Sequence, residues 1–206
     1  MKANLLAIFL ILITSASVVA AAAPPPSYYQ GMHQGRAPAQ QAAEPAQLLK
    51  AGVSKLTGFI RSGGAKDQAR AAAFLQSEIA PYFDFAYMTR WAAGPAWRRM
   101  SPEQRAGMQA QLAESFMTIL AQQLGTYSNQ QIRYFTPRGQ SREDVTVSAW
   151  IMQANGIPTK LEFRFYKSQT GWKIFDVKAA GNSAVVYYRN HFRNMYSQGS
   201  QPHYYN

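Results

Sequence analysis

Alternation of apolar and charged residues along Thr159–Tyr166 constrains the fold more than any other pattern in this sequence. Leu161, Phe163 and Phe165 alternate there with a lysine, a glutamate and an arginine. A strand with one dry face and one wet face is typical of an antiparallel sheet that is covered on one side. Because the dry face must be buried, the sequence predicts a sheet that packs against a layer of helices.

The remaining strands are predicted from turn signals and apolar runs. Val145–Met152 precedes the dipeptide Asn155-Gly156, which favours a β-hairpin. Gln131–Phe135 and Trp172–Ala179 complete a mostly antiparallel sheet of about four strands. The apolar residues predicted on its dry face are Val147, Ala149, Ile151, Leu161, Phe163, Phe165 and Ile174.

The first half of the chain carries helical patterns. Leu49, Val53, Leu56 and Ile60 recur at helical spacing on one face. A second helix is predicted over about Asp67–Ile79, before a proline. The longest helix is predicted to start at residues 101–104, Ser-Pro-Glu-Gln, which combine a cap, a first-turn proline and a glutamine that reaches back. Its apolar side carries Met108, Leu112, Phe116, Ile119 and Leu124.

Two further helix starts are marked by capping residues. Asp84 precedes a short helix that carries Phe85 and Met88, and Ser183 precedes a closing helix. Together these patterns predict an α+β fold in which a helical layer packs on the sheet.

The two ends of the chain are predicted to lie outside this domain. Residues 1–22 have a lysine, the apolar run Leu5–Ile13 and a small-residue cleavage zone, which is typical of a cleaved signal peptide. Residues 23–44 are rich in proline, glutamine and alanine without an apolar period, so we predict a disordered linker. The domain is predicted over residues 45–198, and residues 199–206 are predicted to be a disordered tail.

Composition narrows the classes of function. The 206 residues include no cysteine, which excludes disulfides, thiolate metal sites and a cysteine nucleophile. The formal net charge is +11, so the surface is expected to attract anionic membranes and lipid headgroups. Nucleic acid is the poorer candidate for an exported protein, and we expect none as a partner.

The histidines and acidic residues offer little for catalysis or metal binding. His33 and His203 fall in the predicted linker and tail, and His191 stands close to Arg189 and Arg193, a poor setting for a general base. No cluster of histidine, aspartate or glutamate has metal-ligand spacing, and the sequence has no glycine-rich phosphate loop. We therefore expect no catalytic residue, no metal and no cofactor.

Asp84 and Asp176 are the acidic residues most open to an acid–base interpretation. A helix cap is the favoured role for Asp84. Asp176 shares the predicted strand face of Trp172 and Ile174, so we expect it to point inward and to pair with Arg189. A buried carboxylate without a partner would be costly. Both aspartates are therefore assigned structural roles.

A series of short motifs, in fixed order over Leu48–Gln198, resembles the MlaC family. The motifs are Phe83-Asp84-Phe85, Trp97 followed by Ser101-Pro102-Glu103-Gln104, Trp172-Lys173 with Asp176-Val177, Gly181 with Ser183, and Tyr188-Arg189 with Phe192. Each motif alone is weak, but the ordered set is specific.

The resemblance implies a soluble periplasmic phospholipid carrier with no chemistry of its own. Its implied partners are an inner-membrane ABC transporter with an MCE-domain ring and an outer-membrane lipoprotein complex. The implied role is to maintain the lipid asymmetry of the outer membrane, with phospholipid as cargo rather than cofactor. We expect the carrier to be a monomer whose α+β fold encloses an apolar cavity between sheet and helices.

Two sets of residues are assigned on this basis, because periodicity alone does not distinguish a filled core from a cavity. The predicted lipid-binding residues are Phe85, Met88, Leu112, Phe116, Ile119, Val147, Ile151, Leu161, Phe163, Phe165 and Ile174. The predicted structural residues are Asp84, Trp97, Trp172, Asp176, Gly181, Ser183, Arg189 and Phe192.

Three alternatives remain open. The first is a carrier of another envelope lipid such as a hopanoid, since MlaC-like proteins also occur with that cargo. The second is a periplasmic isomerase or hydrolase on a related fold, with Asp176 in a pocket. The third is a basic adaptor that binds cell-wall or membrane surfaces and has no cavity. The lipid content of the purified protein distinguishes these alternatives.

Overall fold

The computed structural model of the chain describes residues 39–124, 130–139, 141 and 143–198. The predicted signal peptide, His33, His203 and the predicted tail lie outside these ranges. Helix α1 spans Ala39–Arg61, so the end of the predicted linker, residues 39–44, is helical. The predicted boundary was wrong because these residues, Ala-Gln-Gln-Ala-Ala-Glu, are good helix formers and the helix runs through Pro45 instead of starting there.

Four further α-helices follow within the described residues. They are α2 (Gln68–Phe74), α3 (Phe85–Ala93), α4 (Pro102–Leu124) and α5 (Ala184–Gln198). A π-helical turn, Leu75–Ile79, extends α2, and 3₁₀ turns occupy Gly64–Lys66, Ala80–Tyr82 and Gly94–Arg99. None of the described helices combines the length and apolar character needed to cross a bilayer.

The described strands form one antiparallel sheet. They are β1 (Ile132–Tyr134), β2 (Arg138–Gly139), β3 (Asp144–Met152), β4 (Pro158–Ser168), β5 (Gly171–Ala179) and β6 (Asn182–Ser183). Their order is β1-β3-β4-β5-β6, and β2 also pairs with β3. The predicted α+β fold is confirmed, and the two-residue strands β2 and β6 extend the predicted set of about four.

A β-bulge in β5 changes which side chains face the helices. Arg164 pairs with Asp176, whereas Phe165 pairs with Ile174, so Phe175 is an extra residue in the ladder. Because side chains alternate across a strand, the extra residue places Ile174 and Val177 on one face and Phe175 and Asp176 on the other. The prediction that Asp176 shares the face of Ile174 was therefore wrong.

Most buried apolar side chains of the described residues group into three clusters. The first joins α1 to the inner face of the sheet through Leu49, Val145, Val147, Ala149, Phe165, Trp172 and Ile174. The second joins α3, α4, β5 and α5 through Met88, Ala92, Met108, Leu112, Phe175, Tyr188 and Phe192. The third joins α2 and its π-helical turn to α4 through Ala71, Leu75, Ile79, Met117, Ala121 and Leu124.

The predicted helix caps are confirmed. The backbone N–H of Tyr87 donates to Asp84 Oδ1 at 2.8 Å, and that of Val186 donates to Ser183 Oγ at 3.1 Å. The capping box at residues 101–104 is reciprocal, with N···O distances of 2.8 and 3.2 Å. Each cap satisfies an N–H that the helix itself leaves unpaired.

The turn between β5 and β6 gives a prediction about stability. Ala180 and Gly181 both have positive φ, 49° and 88°, a conformation that suits glycine but costs an alanine about 1–2 kcal/mol. We expect Ala180→Gly to raise the free energy of unfolding by about 0.5–1 kcal/mol, since glycine also costs more chain entropy. Urea unfolding measures this gain. Gly181→Ala is the matched control, with a loss expected, and an unstabilised Ala180→Gly variant would contradict the prediction.

Buried Tyr188 gives a second prediction. Its side chain is 3% exposed and its hydroxyl donates to Ser115 Oγ at 3.2 Å, and burial raises the pKa of Tyr188 to about 12. A tyrosine in the unfolded chain ionises at about pH 10. The stability that comes from burying the neutral Tyr188 side chain is therefore full below that pH and is lost as the pH rises through the pKa of the folded state. We expect Tyr188→Phe to lose less stability than the parent over this alkaline window in urea titrations. Parallel losses in the two proteins would refute the assignment.

Candidate functional site

An apolar cavity of about 260 Å³ lies between the inner face of the sheet and the helices. Its sheet wall is formed by Ile132, Ala149, Ile151, Leu161, Phe163, Ile174, Val177 and Ala179. Strand register explains this wall, since Leu161 pairs with Ala179 and Phe163 pairs with Val177 on the same face. The bulge brings Ile174 to the same face as Val177.

The opposite wall is one face of α1. It carries Leu48, Leu49, Gly52, Val53, Leu56, Thr57 and Ile60, at the spacing expected for one helix face. The wall is completed by residues of the turns, of α4 and of the chain around β6: Ile79, Tyr82, Phe83, Phe116, Leu120, Gln123, Leu124, Asn182 and Ala184.

The aromatic part of the wall is held in place by backbone pairing. Phe83 forms a bridge with Ile174, and the N–H of Asp84 donates to the carbonyl of Ile174 at 2.9 Å. The ring of Phe83 lies 5.1 Å from that of Phe116, and Phe85 packs on Phe116 at 5.9 Å. This aromatic cluster fixes one side of the cavity.

The described lining residues include no Asp, Glu, Lys, Arg or His. The amide and alcohol side chains among them are Thr57, Gln123 and Asn182, and Asn182 is solvent-exposed on β6. We therefore place the mouth of the cavity near Asn182. A ligand that fits this arrangement is long and apolar with one polar end.

The cavity brings together five of the eleven residues predicted to bind lipid. They are Phe116, Ile151, Leu161, Phe163 and Ile174. These five residues share one apolar surface, which contact with a lipid would require. Their assignment as lipid contacts stays a prediction.

The other six predicted residues lie outside the cavity wall. Met88 and Leu112 are fully buried in the cluster beneath α3 and α5, and Val147 and Phe165 are buried against α1 and Trp172. Phe85 supports Phe116 from behind, and half-buried Ile119 does not line the cavity. At these six positions the geometry favours a role in packing the protein core over contact with a lipid.

The α1 wall was not predicted to bind lipid, although a signal for it exists. Leu49, Val53, Leu56 and Ile60 were recognised as one apolar helix face, and all four line the cavity. A one-sided sheet needs a helix to cover it, and this apolar helix face is the signal in the sequence that could have identified the α1 wall.

Asp84 and its neighbours join α3 to the sheet. Besides capping the helix, Asp84 accepts a hydrogen bond from the hydroxyl of Tyr166 through Oδ2. Burial, and then the hydrogen bond to Asp84, raises the pKa of Tyr166. The ring of Tyr166 stacks on Tyr87 at 4.1 Å, so Asp84 acts as a structural tie.

The two predicted structural tryptophans also make ties. The indole Nε1 of Trp172 donates to Glu44 Oε2 at 2.8 Å and anchors α1 on β5. The carbonyl of Trp97 accepts from Arg105 Nε at 3.1 Å, and the guanidinium lies 5.0 Å from the Trp97 ring centre.

Asp176 caps the closing helix and does not pair with Arg189. Its carboxylate accepts from Ser183 Oγ at 2.9 and 2.8 Å and from the N–H of Val185 at 3.1 Å. Arg189 donates to the carbonyl of Trp91 at 2.7 Å. The predicted pairing failed because Asp176 binds groups at the N-terminus of α5, whereas Arg189 lies farther along that helix and reaches the carbonyl of Trp91 on α3. Phe192 is 2% exposed in the second cluster.

Within the described ranges, no group of three or more histidine, aspartate or glutamate side chains is placed to hold a metal ion. The apolar cavity is therefore our candidate functional site.

The model of the family described as MlaC protein matches residues 52–203. The chain belongs to the MlaC family. A solved structure similar to this MlaC family member is the phospholipid-binding protein from Ralstonia solanacearum in complex with a phospholipid, which is 25% identical. The match covers 77% of this chain and 88% of that chain, with a TM-score of 0.66. No curated protein matches with significance.

Proposed function

We propose that this MlaC family member is a periplasmic phospholipid carrier. It shuttles phospholipid between an inner-membrane ABC transporter with an MCE-domain ring and an outer-membrane lipoprotein complex, and so maintains outer-membrane lipid asymmetry. The observation that carries the proposal is the cavity with no charged lining residue among the described ones. Family membership and the phospholipid in the Ralstonia solanacearum neighbour support it.

Burial of acyl chains explains how a carrier of this kind lowers the cost of moving a lipid. Exposure of a two-chain lipid to water costs about 0.8 kcal/mol per CH₂, on the order of 20 kcal/mol in total. The side chains of Leu56, Leu161 and Phe163 offer the acyl chains an apolar surface in place of water. The headgroup lies at the mouth near Asn182. The cavity needs only to match the free energy that the acyl chains have in the bilayer, so loading stays reversible.

An enzymatic role would need a reactive group in the cavity. The enzyme alternative places Asp176 in a pocket, but Asp176 lies on the opposite face of β5 and its carboxylate is used by Ser183 and Val185. We propose binding and transport without catalysis.

The proposal is tested by extracting the protein, purified without detergent from the periplasmic fraction, and identifying its lipid by mass spectrometry. We expect close to one phospholipid per protein. A stoichiometric hopanoid in the extract would show that the cargo is a hopanoid and not a phospholipid. Lipid-free protein that still binds anionic vesicles would favour the basic adaptor and contradict the carrier.

A further inference from the structure

The outer face of β1, β3 and β4, opposite the cavity, carries an exposed aromatic and basic patch. Phe135 follows β1 and is 39% exposed. Its ring centre lies 4.6 Å from that of Trp150 on β3. A groove of about 550 Å³ beside this pair is lined by Phe135, Thr136, Pro137, Arg138, Ser148, Trp150, Lys160 and Glu162. We call this surface the Trp150 patch, and count Arg133 with it.

Cations flank the Trp150 ring on both sides. Trp150 pairs directly with Arg133 on β1 and with Lys160 on β4, so all three side chains share the outer face. Lys160 Nζ lies 5.0 Å from the centre of the Trp150 ring. Arg133, Arg138 and Lys160 are all exposed.

The charge of the patch is positive. Its acidic member, Glu162, lies 3.7 Å from Lys178 on the neighbouring strand, which offsets its charge. Three exposed cations around a Phe–Trp pair match the chemistry of the bilayer interface, where aromatic rings lie at the headgroup level and Lys or Arg meet phosphates. Ile157, 64% exposed, lies in the β3–β4 loop of the same hairpin.

We infer that the Trp150 patch is a docking surface for anionic phospholipid membranes. Anionic bilayer is the occupant to which we commit, because exposed cations around an exposed aromatic pair match both the charge of anionic headgroups and the apolar–polar boundary of a bilayer interface. The inference goes beyond the proposed function, since membrane docking needs no lipid in the cavity.

The test is co-sedimentation of the full mature chain with vesicles of phosphatidylglycerol and phosphatidylcholine, compared with phosphatidylcholine alone. We expect binding to the anionic vesicles, and about tenfold or greater weakening in the double variant Arg133→Glu/Lys160→Glu. The matched control is Arg98→Glu/Arg99→Glu, which changes net charge equally at two exposed arginines outside the patch. The control is expected to stay within about threefold of the parent, since its charges lie away from the patch.

A second variant tests the aromatic part. Phe135→Ser changes an exposed residue outside the strands and is expected to weaken binding to anionic vesicles several-fold while circular dichroism stays unchanged. Equal weakening by both charge-reversal pairs would show attraction by net charge alone and overturn the patch. Absence of parental vesicle binding would also overturn it, and would point to an acidic protein partner. Cargo is quantified in the same samples, so loss of docking is distinguished from loss of lipid.

Discussion

The Phe163→Arg variant is expected to lose nearly all of its bound phospholipid. Phe163 lies in the sheet wall of the cavity, paired with Val147 and Val177 on either side. An arginine there would place a charge among lining residues that carry none, and the cost of desolvating an unpaired charge is several kcal/mol. Lipid extraction with mass spectrometry measures the loss.

The control for this prediction is the neighbouring position on the wet face. Glu162→Arg introduces the same side chain on the opposite face of β4, where the glutamate is half-exposed, and should leave the lipid content unchanged. Ala149→Leu adds volume to the cavity wall without a charge and should lower lipid content with the fold retained. Full lipid occupancy in folded Phe163→Arg would show that this wall does not contact the cargo.

The Asp176→Ala variant is expected to lose about 3 kcal/mol of stability. Asp176 is 2% exposed, and its removal leaves the Ser183 hydroxyl and the Val185 N–H without their acceptor. Each buried polar group left unsatisfied costs about 1–3 kcal/mol. For a domain of this size the midpoint of thermal unfolding should fall by roughly 10 °C.

Asp67→Ala is the matched control for this loss. Asp67 also accepts a helix N–H, that of Arg70 at 3.0 Å, but it is exposed, so we expect a cost of only about 1 kcal/mol. Asp176→Asn keeps the shape and should fall between the two. Phospholipid per folded molecule should not change in any of them. A stable Asp176→Ala protein, or an enzymatic turnover lost only in Asp176→Asn, would contradict the structural role.

Local patterns in the sequence predict most of the fold. The alternation at Leu161, Phe163 and Phe165 identifies the inner face of β4, because side-chain direction in a strand depends on the strand alone. Asp84 and Ser183 predict their helix starts, because a cap is a contact over three residues. These interactions are determined by residues that lie close together in the sequence.

The errors lie where distant parts of the chain decide the outcome. Phe175, the extra residue of the bulge, packs in one cluster with Tyr188 and Phe192 of α5, and no local pattern marks the bulge. Without it, Asp176 was assigned to the wrong face. In the same way, Leu112 and Phe116 lie on one predicted helix side, yet Phe116 lines the cavity and Leu112 is buried in the core. A filled core and a cavity have the same apolar period, so periodicity does not separate them.

A crystal structure of the protein with a phospholipid whose chains carry bromine tests whether the space between α1 and the sheet holds acyl chains. Anomalous scattering locates the bromine atoms. We predict them inside the cavity, in contact with Leu56, Leu161 and Phe163. Bromine on the outer face beside Trp150, with the cavity filled by side chains, would show that the cavity does not hold acyl chains.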